Sequence, residues 1–204
     1  MFRLGWQAYR THFGDGVSVV KVRRALVFGA VVTVVAAAVM TGLDLAFDWT
    51  GPGAGRAILA VALLSLGVGL VAIACCPIGR PLDPAATING RQVRPDTART
   101  VRGSVQRYLV RTMPAMRPED RHAVLTDTLL YRRGVIKDVT QWSPLVVGGL
   151  LASLAALLLG TFSQVVPLWF VLYAGNIAVW LHRLGRAERA RAVAETLAPA
   201  SEPA

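Results

Sequence analysis

The sequence predicts an all-α integral membrane protein, with four transmembrane helices arranged as two hairpins and a small helical domain in the cytoplasmic loop that joins them. Three observations predict it: long uncharged apolar runs, basic residues gathered outside those runs, and tryptophans at the run ends. Hydrophobic residues fill 54% of the 204 positions and the mean hydropathy is +0.49, high for a soluble domain of this length.

Charged side chains are absent from Ala25 to Leu43, from Ala57 to Gly79 and from Val139 to Leu181. A helix rises about 1.5 Å per residue, so roughly 20 apolar residues cross a hydrocarbon core about 30 Å thick. The first two runs each fit one crossing. The third is long enough for two, and its middle carries Gly160-Thr161-Phe162-Ser163-Gln164 followed by Pro167, which suits a turn and a new helix start. The predicted spans are therefore 22–47, 56–77, 143–161 and 166–184, with an outer loop at 48–55 and an outer turn at 162–165. Each Val, Leu or Phe near a span centre favours insertion by about 0.3–0.6 kcal/mol, whereas one central Arg costs about 2.5–3.5 kcal/mol. Buried helices of a soluble protein usually keep a polar face, which these runs lack. A cleaved signal peptide does not fit the first run, because a long basic region precedes it and further spans follow.

Charge placement sets the expected orientation. Of the 22 Lys and Arg residues, all but Arg56 lie before the first span, between the second and third, or after the fourth. The positive-inside rule makes that side cytoplasmic, with both chain ends inside. The orienting charges nearest the membrane are Lys21, Arg23, Arg24, Arg80, Arg132, Arg133, Lys137, Arg183 and Arg186. Trp6, Trp49, Trp142 and Trp180 are the expected interface anchors, since indole rings favour the headgroup level. Ser143-Pro144 suits the start of the third span, while Pro77 and Pro81 close the second.

Residues 1–20 read as an amphipathic helix lying at the inner surface, because Phe2, Trp6, Tyr9 and Phe13 share one helical face beside Arg3, Gln7 and Arg10. Packing of that stripe on the protein's own loop is the competing reading. The basic loop 78–141 is expected to hold two short helices, about 96–112 and 118–133. Asp96 caps the first, with Val101, Val105, Tyr108 or Leu109, and Met113 as its apolar stripe. Pro118-Glu119-Asp120 opens the second, which turns Leu125, Leu129 and Leu130 inward and ends near Arg132, Arg133 and Gly134. Residues 185–204 read as a tail, first a solvated helical extension and then a disordered end beyond Pro199.

Chemistry is less legible. Cys75 and Cys76 are adjacent, and His12, His122 and His182 lie in separate segments, so no metal-site spacing arises. No nucleophile elbow, phosphate-binding glycine loop or zincin pair is present. The expectation is no catalytic residue, no metal and no cofactor, with enzymatic activity the third-ranked reading, on Glu119, Asp120 or His122. Tyr173 and Asn176, one turn apart, form the candidate intramembrane polar pair. Gly148, Ala152, Ala156 and Gly160 form a small-residue packing seam, and Gly29, Thr33, Ala37 and Thr41 a second. Such seams also permit a homo-oligomer. The loop's excess of basic residues suits anionic headgroups, and no nucleic-acid motif accompanies it.

The favoured function is a non-enzymatic accessory, scaffold or regulatory component, meeting a protein partner through residues 96–134. A small oligomeric transporter or channel is the alternative. Twenty Arg against two Lys, with abundant Ala, Gly and Val, suggests a GC-rich bacterial genome and hence the bacterial inner (plasma) membrane.

Overall fold

A computed structural model describes residues 1–80, 87–88, 91–92, 103–160 and 165–197. In chain order these form α1 (Phe2–Thr11), α2 (Phe13–Gly16), α3 (Val19–Phe47), α4 (Ala54–Cys75), β1 (Thr87–Ile88), β2 (Arg91–Gln92), α5 (Gly103–Gln106), a 3-10 turn (Pro118–Asp120), α6 (Arg121–Leu158) and α7 (Val165–Thr196). The two strands are a two-residue antiparallel ladder, Thr87 opposite Gln92 and Ile88 opposite Arg91. All other regular structure among the described residues is helical. The expected Asp96 cap, Val101, Pro81, most of the turn at 162–165 and the end beyond Pro199 lie outside the described residues.

Three helical segments among the described residues are long and apolar enough to cross a membrane: Val19–Phe47, Ala54–Cys75 and Pro118–Leu158. Only 6% of the most apolar stretch of α3 is buried by protein. Val27, Phe28, Val31, Val34, Val35 and Val39 are all more than half exposed. Such a surface is unfavourable in water and favourable against acyl chains, which is why a chain of this kind is a membrane protein.

The chain divides into two compact units. The second comprises Val19–Ile78 and Thr140–Ile177, and glycines set its helix contacts. A Cβ on Gly69 would fall 1.8 Å from Thr33 Oγ1 and 2.8 Å from the Gly29 carbonyl oxygen, so α3 and α4 approach backbone to backbone. α4 and α6 meet in the same way, where a Cβ on Gly67 would lie 2.9 Å from the Gly148 carbonyl oxygen and one on Gly148 2.7 Å from that of Gly67. A Cβ on Gly149 would collide with the Phe170 ring of α7 at 2.0 Å. Small residues bring helices this close where dispersion replaces the hydrophobic effect as the driving force.

The first unit comprises Met1–Ser18, Gly79–Val139 and Ala178–Ala204, three stretches far apart in sequence. Val105, Tyr108, Val124, Ala190 and Ala194 form its fully buried cluster, with Leu109, Met113, Met116, Ala123 and Leu125 packed around it. α1 lies on α7 through glycine, since a Cβ on Gly5 would fall 1.8 Å from the Leu181 carbonyl oxygen and one on Gly185 2.1 Å from that of Met1. Val17 bridges Gly79, and the Arg80 N–H donates to the Gly16 carbonyl at 3.3 Å. These bonds tie the chain entering α3 to the chain leaving α4.

Several expected element boundaries are corrected. The helix expected over 96–112 is a single turn, Gly103–Gln106, within the described residues; Tyr108 onward follows a series of turns held by side chains. The helix expected to end near Gly134 instead continues to Leu158, through Ser143 and Pro144. Buried Val135, Ile136, Val139 and Val146 extend its apolar contacts across the expected break, and that packing outweighs the local preference of Ser-Pro for a helix start. The expected solvated extension after residue 185 is core: Ala187, Ala190 and Ala194 are fully buried, their spacing of three and four making one face of α7. The helix over 1–20 breaks at His12, after which α2 and an extended Val17 lead into α3.

Candidate functional site

The polar residues of the first unit gather in two places. In the first, α2 supplies Asp15, α6 supplies Arg132, and α7 supplies Glu188, Arg191 and Glu195 from one helical face. Arg132 is 5% exposed, and its guanidinium reaches Asp15 Oδ2 at 3.4 Å and Glu188 Oε1 at 3.5 Å. His12 Nδ1 lies 3.1 Å from Asp15 Oδ2, and Arg191 Nε donates to Glu195 Oε1 at 2.8 Å. His12, Arg132, Glu188, Arg191, Ala192 and Glu195 line a polar cleft of about 250 Å³. Arg132 therefore does not contact lipid headgroups as a membrane-proximal charge would. A buried guanidinium needs carboxylate partners, and α2 and α7 provide them.

In the second, Tyr108 is fully buried and its hydroxyl donates to Asp120 Oδ2 at 2.7 Å. The Arg117 backbone N–H donates to the same hydroxyl at 3.3 Å, and Arg107 pairs with Asp120 while lying over the Tyr108 ring. The Tyr108 hydrogen bond and the Arg107 charge hold the Asp120 carboxyl below its ordinary pKa, and Asp120 in turn raises that of Arg107. Asp120 is thus an ionised anchor at neutral pH. Arg121 Nε of α6 donates to the Ala194 carbonyl of α7 at 3.0 Å, joining the two long helices, and Arg189 donates to the carbonyls of Val110 and Arg111 at 2.9 and 3.1 Å, fastening the turns after α5 to α7.

The other sequence-predicted residues divide between surface and packing positions. Lys21, Arg23, Arg24, Arg80 and Arg183 are exposed, while Arg133, Lys137 and Arg186 are half-buried. Trp6 is exposed and stacks on Tyr9 at 5.4 Å, and Tyr9 meets Phe13 edge-on at 5.8 Å. The aromatic face of α1 is outward, because the opposite face, Gly5 and Ala8, is the buried one. Trp49 Nε1 donates to the Met40 carbonyl at 3.3 Å, and Trp180 is half-buried. Trp142 stacks parallel to Tyr173 at 6.4 Å, while the Asn176 amide donates to the Leu172 carbonyl of its own helix. Tyr173 and Asn176 are therefore not bonded to each other among the described residues. In the small-residue seam, Gly148 and Ala152 face Gly67. Gly160 does not join it: with a φ of 71° it ends α6 in open space.

A third polar position lies in the second unit. Thr41, Asp44 and Ser65 join Ala37, Ala57, Ile58, Val61, Ala62 and Leu66 around a groove of about 370 Å³ between α3 and α4. Asp44 Oδ1 accepts the Thr50 N–H at 3.0 Å, and Ser65 donates to its own helix at the Ala62 carbonyl.

Sequence reasoning missed the Asp15–Arg132–Glu188 network and the Tyr108–Asp120 bond. Glu188 and Glu195, seven residues apart beside the Ala187, Ala190 and Ala194 stripe, carried a signal that this helix has an inward face. The Tyr108 contact joins a loop to a helix start and has no periodicity to betray it. No protein-family model, curated protein or solved structure matches the chain.

Proposed function

We propose that the protein is a four-span component of a bacterial inner membrane, its spans paired as two hairpins, with a folded cytoplasmic unit that serves a non-enzymatic accessory, scaffold or regulatory role. One observation carries the reading: the stretches 1–18, 79–139 and 178–204, which hold 18 of the 22 basic residues, pack as a single unit, and Lys21, Arg23 and Arg24 follow directly after the first of them. Segments that pack together lie on one side of a bilayer, so the chain between them crosses an even number of times. Residues 19–78 hold two apolar helices, and residues 140–177 hold the apolar part of α6 followed by the first part of α7. Four crossings satisfy that requirement, and the positive-inside rule then makes the shared side cytoplasmic.

Support for a binding rather than catalytic role comes from how the unit spends its polar groups. Asp120, the centre of the Glu119, Asp120 and His122 cluster, is held ionised by Tyr108 and Arg107, and Arg132 is held by Asp15 and Glu188. Both sets fasten helices and turns together. The outward aromatic face of α1 suits the inner headgroup layer, and the basic surface suits anionic lipid. The remaining surface of residues 103–134 is available to a protein partner. Photo-crosslinking from Arg111 and Arg117 in native membranes is expected to capture one discrete protein species. Recovery of lipid adducts alone from both positions would remove the scaffold reading.

A further inference from the structure

We propose that the groove between α3 and α4 binds the ammonium headgroup of a bilayer lipid, with Asp44 as its counter-ion and the lipid chain along the apolar floor. The proposal rests on the reading of α3 and α4 as spans and is independent of the accessory role.

The groove is apolar apart from Thr41, Asp44 and Ser65. The Ser65 hydroxyl is satisfied by its own helix, and of the two polar groups left, Thr41 and Asp44, Asp44 is the charged one that calls for an outside partner. Two features make that call electrostatic. Asp44 sits in the last turn of α3, where the helix dipole disfavours an anion and favours a cation, and that turn contains no basic residue. Among the described residues no Lys, Arg or His forms an ion pair with Asp44, and the one hydrogen bond its carboxylate accepts comes from the Thr50 backbone N–H. Beside it, Thr50 is 2% exposed and its hydroxyl has no partner among the described residues. A carboxylate near hydrocarbon is costly until a cation joins it, and an ammonium offset both the charge and the dipole.

Why a lipid is the occupant follows from what surrounds the groove. Ile58 is 71% exposed and Leu66 49%, and the neighbouring α3 surface of Val34 and Val35 is equally open, so the groove is entered from the acyl-chain side. An anionic headgroup would meet Asp44 unfavourably, and a neutral one would leave it unpaired. The fitting molecule has a cationic nitrogen at the interface and a chain below it, as an ethanolamine lipid does.

Trp49 is a built-in reporter, because its indole is fixed to Met40, one turn from Asp44. The full-length protein is placed in phosphatidylglycerol vesicles containing a small fraction of brominated-chain phosphatidylethanolamine or, in parallel, brominated-chain phosphatidylglycerol. Quenching at Trp49 is read as the difference between the wild type and Trp49→Phe. The ethanolamine lipid is expected to associate about two- to fivefold more strongly, the contribution of one partly exposed ion pair. Asp44→Asn keeps the acceptor for Thr50 but removes the charge, and is expected to abolish the preference. Asp48→Asn, at a position whose φ of 46° suits Asn, is expected to retain it. Equal quenching by the two lipids in the wild type, or a preference that survives Asp44→Asn or vanishes in Asp48→Asn, overturns the proposal. Flotation with the vesicles is scored separately, and a chain that fails to float contradicts the spanning reading itself.

Discussion

Tyr108 shows how one side chain fixes a loop that lacks regular structure. Its ring fills the core formed with Val124, Ala190 and Ala194, while its hydroxyl serves both Asp120 and the Arg117 N–H. Tyr108→Phe keeps the ring and removes those bonds, and a hydrogen bond to a charged group contributes about 1.5–3 kcal/mol. The variant is expected to lose stability of that order, with faster amide exchange confined to residues 103–120; exchange identical to the wild type would contradict the assigned role. The pH dependence has a definite sign. Asp120 has a lowered folded-state pKa, so its contribution is full above the unfolded value of about 3.9 and is lost as pH falls through the lower folded value. In Tyr108→Phe the folded value rises toward the unfolded one, so the acid-induced loss is expected to shrink. Neither effect was legible in the sequence, where Tyr108 and Asp120 are separated by a stretch without helical period. The partners of Arg132 were hidden for a related reason: Asp15 and Glu188 are distant from it in sequence, and no local period links them.

At the scale of elements, apolar runs identified the helices and local signals misjudged their ends. α3 and α4 were legible because charge-free runs of spanning length leave little choice. The break expected at Ser143-Pro144 does not occur, because Pro144 costs one backbone bond while the buried face of α6 continues on both sides of it. The α1–α7 contact was hidden because the conspicuous feature of α1 is its aromatic stripe, whereas the packed face is Gly5 and Ala8. That contact makes a clear prediction. A methyl at Gly5 would lie 1.8 Å from the Leu181 carbonyl oxygen, and backbone cannot yield as a side-chain tip can. Gly5→Ala is expected to cost about 1–3 kcal/mol by overpacking and to expose Arg3 and Arg10 to trypsin. Gly14→Ala, with nothing near its Cβ position, is the control expected to leave cleavage unchanged. Equal protection of Gly5→Ala and wild type would show that α1 does not lie on α7 through that glycine.

For the whole molecule, the proposed topology rests on two separate arguments, one from charge placement and one from packing. The charge rule concerns the cost of moving Arg and Lys across hydrocarbon, and the packing of residues 1–18, 79–139 and 178–204 concerns which segments can touch. The four-span proposal is built on the two together. The most direct measurement uses a chain with Cys75 and Cys76 replaced by Ser and one new cysteine at a time: Arg10→Cys, Arg117→Cys, Glu195→Cys or Asp48→Cys. A membrane-impermeant maleimide is applied to spheroplasts before and after permeabilisation. The account predicts that Asp48→Cys labels in intact spheroplasts and that the other three label together only after permeabilisation. Labelling of any one of those three in intact spheroplasts, or protection of Asp48→Cys, would contradict it.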